Sequence, residues 1–283
     1  MFEGKSIKPT YGQSTSSRSR TRDASTGKMP DKQTDRTLRC RHELKYHISE
    51  SMAEAIVQFI KPYLPLDRYC KLQRSRDYPI VSLYLDSADL QLCQESLGGL
   101  KNRYKLRIRS YTDEPDYPRF FEIKRRINTI IMKSRARVMN RDVPILLGGQ
   151  PLPPQNYTAD TDTINQFQLY MNNIRAKPAV LIRYTRQAYE GGSESKVRVT
   201  FDRELSYCVT REPEVRLGGG GWQRNPFTIG GVVLEIKFTD RYPIWLSQMV
   251  KCFNLQQQSI SKYASSIKDS CLLKFCSPEL MGI

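Results

Sequence analysis

Histidine is scarce in this chain of 283 residues: only His42 and His47 are present. That leaves little material for a His-rich metal centre or a Ser-His-Asp triad. None of the seven cysteines (Cys40, Cys70, Cys93, Cys208, Cys252, Cys271, Cys276) stands in a Cys-x-x-Cys spacing. Their number is odd and the chain is not small, so they read as reduced thiols of a cytoplasmic protein. No run approaches the roughly 18 to 20 apolar residues that cross a bilayer. Polar sequence follows Met1, without the apolar stretch of a secretory leader. Acidic residues are few as well, 29 Asp and Glu against 45 Lys and Arg, for a formal charge of +16. Such a balance points to a polyanionic partner: nucleic acid, an anionic membrane or a polyphosphate-type substrate.

Residues 1–37 hold eight Lys/Arg and four Asp/Glu and almost no aliphatic side chains. They cannot bury enough apolar area to offset their ordering entropy, so they are expected to form a disordered basic tail. Its charge suits an anionic partner. Residues 38–283 carry the rest of the charge and are expected to form one domain.

The clearest feature of that domain is a thrice-repeated pattern, Glu-apolar-Lys, in β-forming context. It stands at Glu43-Leu44-Lys45, Glu122-Ile123-Lys124 and Glu235-Ile236-Lys237. Strand side chains alternate between faces, so each Glu shares a face with its Lys while the middle residue packs behind. About eight strands are expected, over residues 39–48, 80–86, 102–111, 120–125, 130–138, 179–189, 196–202 and 232–238. On the third, Arg103, Lys105, Arg107 and Arg109 alternate with Tyr104, Leu106 and Ile108. On the fifth, Lys133, Arg135 and Arg137 share a face, and on the seventh Lys196, Arg198, Thr200 and Asp202 do. The sixth carries Arg183 on the face of Leu181 and Thr185. Helices are expected after Ser49, at 89–96, at 161–174, at 244–253 and at 261–273. The Gly218–Gly221 run lacks a following Gly-Lys-Ser/Thr and reads as a loop.

A half-buried sheet with its polar face in water is the ordinary reading of such alternation. Like charges on neighbouring strands would destabilise that face. Closing the sheet resolves the conflict. The apolar outside takes the amphipathic helices and the charged inside lines a channel that tolerates its own charge when an anion or metal binds.

Six short motifs occur in order: Arg41-x-Glu43-x-Lys45-Tyr46, Ser82-Leu83-Tyr84-Leu85-Asp86-Ser87, Lys105-x-Arg107-x-Arg109, Glu122-Ile123-Lys124, Glu235-Ile236-Lys237-Phe238 and Ser261-Lys262-Tyr263. Together they resemble the vacuolar transporter chaperone (VTC) domain, the polyphosphate polymerase branch of the triphosphate tunnel metalloenzymes, over residues 39–275. The resemblance implies an α+β, mainly antiparallel fold. Eight strands would close into a tunnel with covering helices, and a C-terminal helix would lie near its mouth. It implies Mn²⁺ or Mg²⁺ as cofactor, and ATP and polyphosphate as substrates. Lys45, Arg107, Arg109, Lys124, Arg183, Arg198 and Lys262 would contact phosphates, with Arg41, Lys133, Arg135, Arg137 and Lys237 beside them. Glu235 would lead in holding the metal, supported by Glu43 and Glu122.

Arg41 stands where the hydrolytic branch of that superfamily has the first acid of a Glu-x-Glu-x-Lys strand. This favours polymer synthesis over hydrolysis. With no regulatory domain or membrane helix in the sequence, a stand-alone soluble enzyme is expected. Two other functions stay open: a tunnel triphosphatase and a non-catalytic polyanion binder. Nucleic acid is disfavoured, because Tyr104 lies on the opposite face from Arg103 and Lys105 and so cannot offer a stacking platform beside them.

Overall fold

The computed structural model describes residues 41–128, 130–152, 159–191, 197–239 and 242–270. The chain divides into two units, Met1–Thr37 and Leu38–Ile283, and everything described belongs to the second. The basic tail, Cys40, Lys196 and the end of the last expected helix lie outside the described residues.

The order of elements is β1 (Arg41–Ser49), α1 (Glu50–Ile60), α2 (Arg68–Lys71), β2 (Tyr78–Asp86), α3 (Gln91–Leu97), β3 (Asn102–Ser110), β4 (Arg119–Ile127), β5 (Ile130–Val138), α4 (Val143–Leu147), α5 (Thr161–Asn173), β6 (Lys177–Glu190), β7 (Arg198–Val209), β8 (Gln223–Arg224), β9 (Gly231–Thr239), α6 (Ile244–Cys252) and α7 (Lys262–Asp269). Eight of the strands answer to the alternating segments of the sequence. The short α2 and α4 and the two-residue β8 carry too few residues to show a period.

All the strands form one antiparallel sheet in the order β1-β9-β7-β6-β2-β3-β4-β5, with β8 paired to β7. Among the described residues no backbone pairing joins β1 to β5, which corrects the expectation of a closed barrel. The sheet nevertheless curls. Lys124 of β4 reaches Glu43 of β1 at 3.2 Å, although the two strands lie near opposite ends of the sheet. Side chains therefore span the gap that hydrogen bonds would have closed. The β5 edge carries Lys133, Arg135 and Arg137 at alternate positions, and charged edges resist further pairing.

The convex face holds two apolar cores. In one, Leu83, Leu106, Ile108, Phe121 and Ile123 pack against Val143 and Leu146 of α4 and Ile164, Phe167 and Met171 of α5. In the other, Tyr46, Ile48, Phe201, Leu234 and Ile236 pack against Ala53, Ile56 and Ile60 of α1 and Leu246 and Met249 of α6. Helix α1 follows directly from its sequence. Ser49 caps it by accepting from the Met52 amide at 3.2 Å, and the residues at positions 53, 56, 57 and 60 form the buried stripe. Each such Leu or Ile contributes roughly 1.5–3 kcal/mol on burial. A third core occupies part of the concave face, where Tyr263, Ala264 and Ile267 of α7 meet Ile80, Tyr84, Val180, Ile182 and Tyr207. The rest of that face is charged. No described helix is long and apolar enough to cross a membrane.

Candidate active site

The concave face encloses a cavity of about 430 Å³. Ten cationic side chains line it (Lys45, Arg103, Lys105, Arg107, Arg109, Lys124, Arg125, Arg126, Arg186 and Lys262) against two carboxylates, Glu43 and Glu235. Tyr84, Tyr184, Tyr263 and the segment Gln257–Ser261 complete the wall.

Strand register explains the grouping. Lys45 stands opposite Glu235 and Glu43 opposite Lys237 in the β1–β9 pair. In the β3–β4 pair Lys105 stands opposite Lys124, and Arg107 opposite Glu122. On β2, Ser82 faces Arg109 and Tyr84 faces Arg107. The period of two thus puts the repeated Glu and Lys residues on the inner face, and Leu44, Ile123 and Ile236 in the outer cores.

Four acids of the inner face, Glu122, Asp202, Glu43 and Glu235, are gripped by cations. Glu122 is fully buried, 2.7 Å from both Arg107 and Lys133 and 3.4 Å from Arg135. Burial pushes its carboxyl up, but Arg107 and Arg109, then Lys133, hold it well below the usual range. Asp202 accepts from Arg186 at 2.6 and 2.7 Å and from Lys262 at 2.7 Å. Burial opposes its ionisation; Arg186 and Lys262 outweigh that and bring it to about 2. Glu43 lies 3.0 Å from Lys45 and 3.2 Å from Lys124. Burial and the neighbouring Glu235 raise its pKa, while Lys124 and Lys45 bring it down to about 2. Glu235 pairs with Lys237, and it too is held well below the usual range, by Lys237, Lys45 and Arg186 against burial.

Two groups that line the cavity are shifted towards the neutral range. Burial brings the Lys105 ammonium down to about 8, and repulsion from Lys124 and Lys45 adds to it. Burial raises the Tyr84 hydroxyl, but Arg107 and Arg109 outweigh it and bring it to about 8. Both line the cavity, and Arg107 also donates to the Tyr84 hydroxyl at 3.2 Å.

Lys45, Arg107, Arg109, Lys124 and Lys262 all reach the cavity wall. Arg183 does not, which corrects the sequence reading. It stands opposite Val81 and Ser206 on the convex face, lies over the Trp222 ring at 4.2 Å and donates to the Leu217 carbonyl. Its place is taken by Arg186, which faces inward with Tyr184. Arg198 is also engaged elsewhere. It is 2.9 Å from Asp67, pairs with Glu190 and donates to the Tyr78 hydroxyl at 3.3 Å. Lys133 and Arg135 hold Glu122. Arg137 is largely exposed and lies 4.0 Å from Asp160. Lys237 pairs with Glu235. Arg41 stands opposite Thr239 in β1, and its side chain lies outside the described part. Asp202 is not among the site residues expected from the sequence, yet it is an inner acid held by Arg186 and Lys262. Arg203 pairs with Glu50 at 2.7 Å.

Among the described residues no three His, Cys, Asp or Glu side chains form a metal-holding group. A divalent ion shared with phosphate oxygens needs only one or two protein carboxylates. Glu43 and Glu235 fit that need: both line the cavity from adjacent strands, and both are held ionised. Glu122 is not among the residues lining the cavity; Arg107, Lys133 and Arg135 surround it.

Several solved structures align with most of the chain at low similarity. A candidate adenylate cyclase from Bacillus halodurans aligns with a TM-score of 0.44 and 12% identity, covering 78% of this chain and 95% of that one. The protein PH1819 of Pyrococcus horikoshii aligns at 0.40 and 10%, covering 81% and 96%. A candidate adenylyl cyclase from Hippeastrum, described as having a dominant triphosphatase activity, aligns at 0.43 and 13%, covering 81% and 94%. Likenesses of this size say nothing of chemistry. No curated protein matches the chain. The family profile of the VTC domain, however, matches residues 40–270, most of the chain and nearly all of the folded unit. The chain is therefore a member of the VTC domain family.

Proposed function

We propose that this chain is a metal-dependent polyphosphate polymerase, which transfers the γ-phosphoryl group of ATP to a growing phosphate chain in its basic cavity. The observation that carries the reading is the wall of ten cations against two carboxylates. Such a wall is electrostatically unfavourable when empty and suits a ligand with several negative charges in a row.

Phosphoryl transfer asks for positioning and charge neutralisation rather than a covalent nucleophile. Arg107, Arg109 and Arg186 offer planar forks to phosphate oxygens, and Lys45, Lys105, Lys124 and Lys262 offer point charges. Glu122 and Asp202 hold Arg107 and Arg186 in fixed orientations, so the forks need no reorganisation when substrate arrives. A terminal oxygen of the acceptor chain attacks the γ-phosphorus, the bond to the bridging β–γ oxygen breaks, and ADP departs. Glu235 and Glu43 would hold Mn²⁺ or Mg²⁺ together with phosphate oxygens, and the ion would neutralise charge on the transferring group. Lys133 and Arg135 stand on the same face as Glu122 and hold it from the neighbouring strand.

The test is to incubate purified protein with ATP and Mn²⁺ and separate the products on a gel that resolves phosphate chains. A ladder of polymer that disappears in Arg109→Ala and Lys262→Ala supports the reading. Free phosphate without polymer would mark a triphosphatase, and anion binding without turnover a passive binder.

A further inference from the structure

Tyr263 follows Lys262 at the start of α7 and is almost fully buried. Its hydroxyl donates a short hydrogen bond to Asp86, the last residue of β2. Asp86 is fully buried and also accepts from the amides of Ser87 at 2.8 Å, Leu92 at 2.9 Å and Cys93 at 2.9 Å. One carboxylate therefore ties the end of β2, the first turn of α3 and the first turn of α7 together. The Tyr263 ring meanwhile stacks on Tyr84, with centroids 4.7 Å apart and planes 9° from parallel.

The residues just before Tyr263 are where cavity cations attach. Lys105 donates to the Ser261 hydroxyl at 2.8 Å, Lys45 donates to the Ile260 carbonyl at 2.9 Å, and Lys262 reaches Asp202 at 2.7 Å. The start of α7 thus sets the position of three of the cations around the cavity. None of these contacts fixes that start to the sheet from outside the cavity. The Tyr263–Asp86 bond does.

We propose that Tyr263, through its bond to Asp86, is a positioning residue that holds the start of α7 so that Lys262 and its neighbouring lysines meet the phosphate chain. The inference rests on the anion-binding reading above. It extends that reading to a buried hydrogen bond between Tyr263 and Asp86.

Tyr263→Phe removes the hydroxyl, keeps the stack on Tyr84 and leaves Asp86 three amide donors. The probe is inorganic tripolyphosphate, its Kd measured calorimetrically on the full chain. Tyr263→Phe is expected to weaken binding roughly tenfold, the size of one hydrogen bond to a charged group. In a Lys262→Ala background the same change is expected to do far less, because the group it positions is gone. A purely structural role would lower the melting temperature of both backgrounds alike and leave Kd unmoved. Asp86→Asn alters the same bond from its other end, is expected to shift Kd in the same direction, and serves if Tyr263→Phe does not fold. A Tyr263→Phe protein that binds like wild type, or equal losses in the two backgrounds, overturns the proposal. A wild-type chain that fails to bind tripolyphosphate removes the anion-binding reading beneath it.

Discussion

Arg183 and Arg186 stand three positions apart on β6 and face opposite sides of the sheet. An odd spacing on a strand always separates faces, so only one of the two can reach the cavity. The sequence shows both arginines but not which parity is inward, because β6 is apolar on both faces near its middle. The same logic yields a test. Arg186→Ala is expected to lower polymer synthesis by about a hundredfold or more, the scale of losing a fixed charge donor. Arg183→Ala is expected to stay within about threefold, since losses at a convex-face cation–π contact are of order 1 kcal/mol or less and fall on folding. Initial rates under saturating ATP separate the two.

Lys105 supports a pH prediction at the same scale. Its ammonium is brought to about 8 by burial and by Lys124 and Lys45. A folded-state value below the free one means that charging this lysine costs stability; the cost is fully present below pH 8 and fades as pH rises past it. A bound phosphate chain offsets the cost, so binding favours the charged form. Tripolyphosphate affinity should therefore fall as pH rises through about 8, with proton uptake on binding there. Calorimetry in buffers of different ionisation enthalpy measures both. Glu43 works in the opposite sense. Held down to about 2, it contributes stability that is full above its free value of 4.5 and is lost as pH falls towards 2.

At the scale of elements, the Glu-apolar-Lys strands were legible because alternation, register and function agree on them. Strand β7 was legible only as far as Asp202, yet it runs on to Val209. The reason is Glu204, whose φ of 55° places it in the left-handed region, where the β6–β7 register shifts. An extra residue inverts the alternation, so the second half of the strand no longer continues the pattern of the first. A non-glycine residue in that conformation costs about 1–2 kcal/mol. Glu204→Gly is therefore expected to raise the melting temperature slightly and to leave synthesis unchanged, as thermal unfolding and product assays would report. Helix α7 shows the reverse case. Ser261-Lys262-Tyr263 was legible as a helix start, but its partners lie 156 residues upstream at Lys105 and 177 upstream at Asp86, and no local pattern records such distances.

For the whole molecule, the sequence pointed to a curled sheet with its charge inside. That much follows from the repulsion a flat cationic face would suffer. It did not show where the ring stops. Closure depends on pairing between the first and last strands of the path, and a Lys124–Glu43 ion pair spans that gap instead. The cations also leave the empty protein under internal repulsion, so an anion should stabilise it globally. At a hundredfold excess over its Kd, tripolyphosphate is expected to add about 2.7 kcal/mol and raise the melting temperature accordingly. Inorganic sulfate at equal ionic strength should do much less, because it cannot span Lys45, Arg107 and Lys262 together.

The most direct measurement of the central claim is phosphorus NMR of ATP incubated with the full chain and Mn²⁺. The γ resonance of ATP is expected to disappear while signals of internal, doubly bridged phosphates grow. Loss of ATP into orthophosphate alone, with no bridged signal at any time, would contradict polymer synthesis.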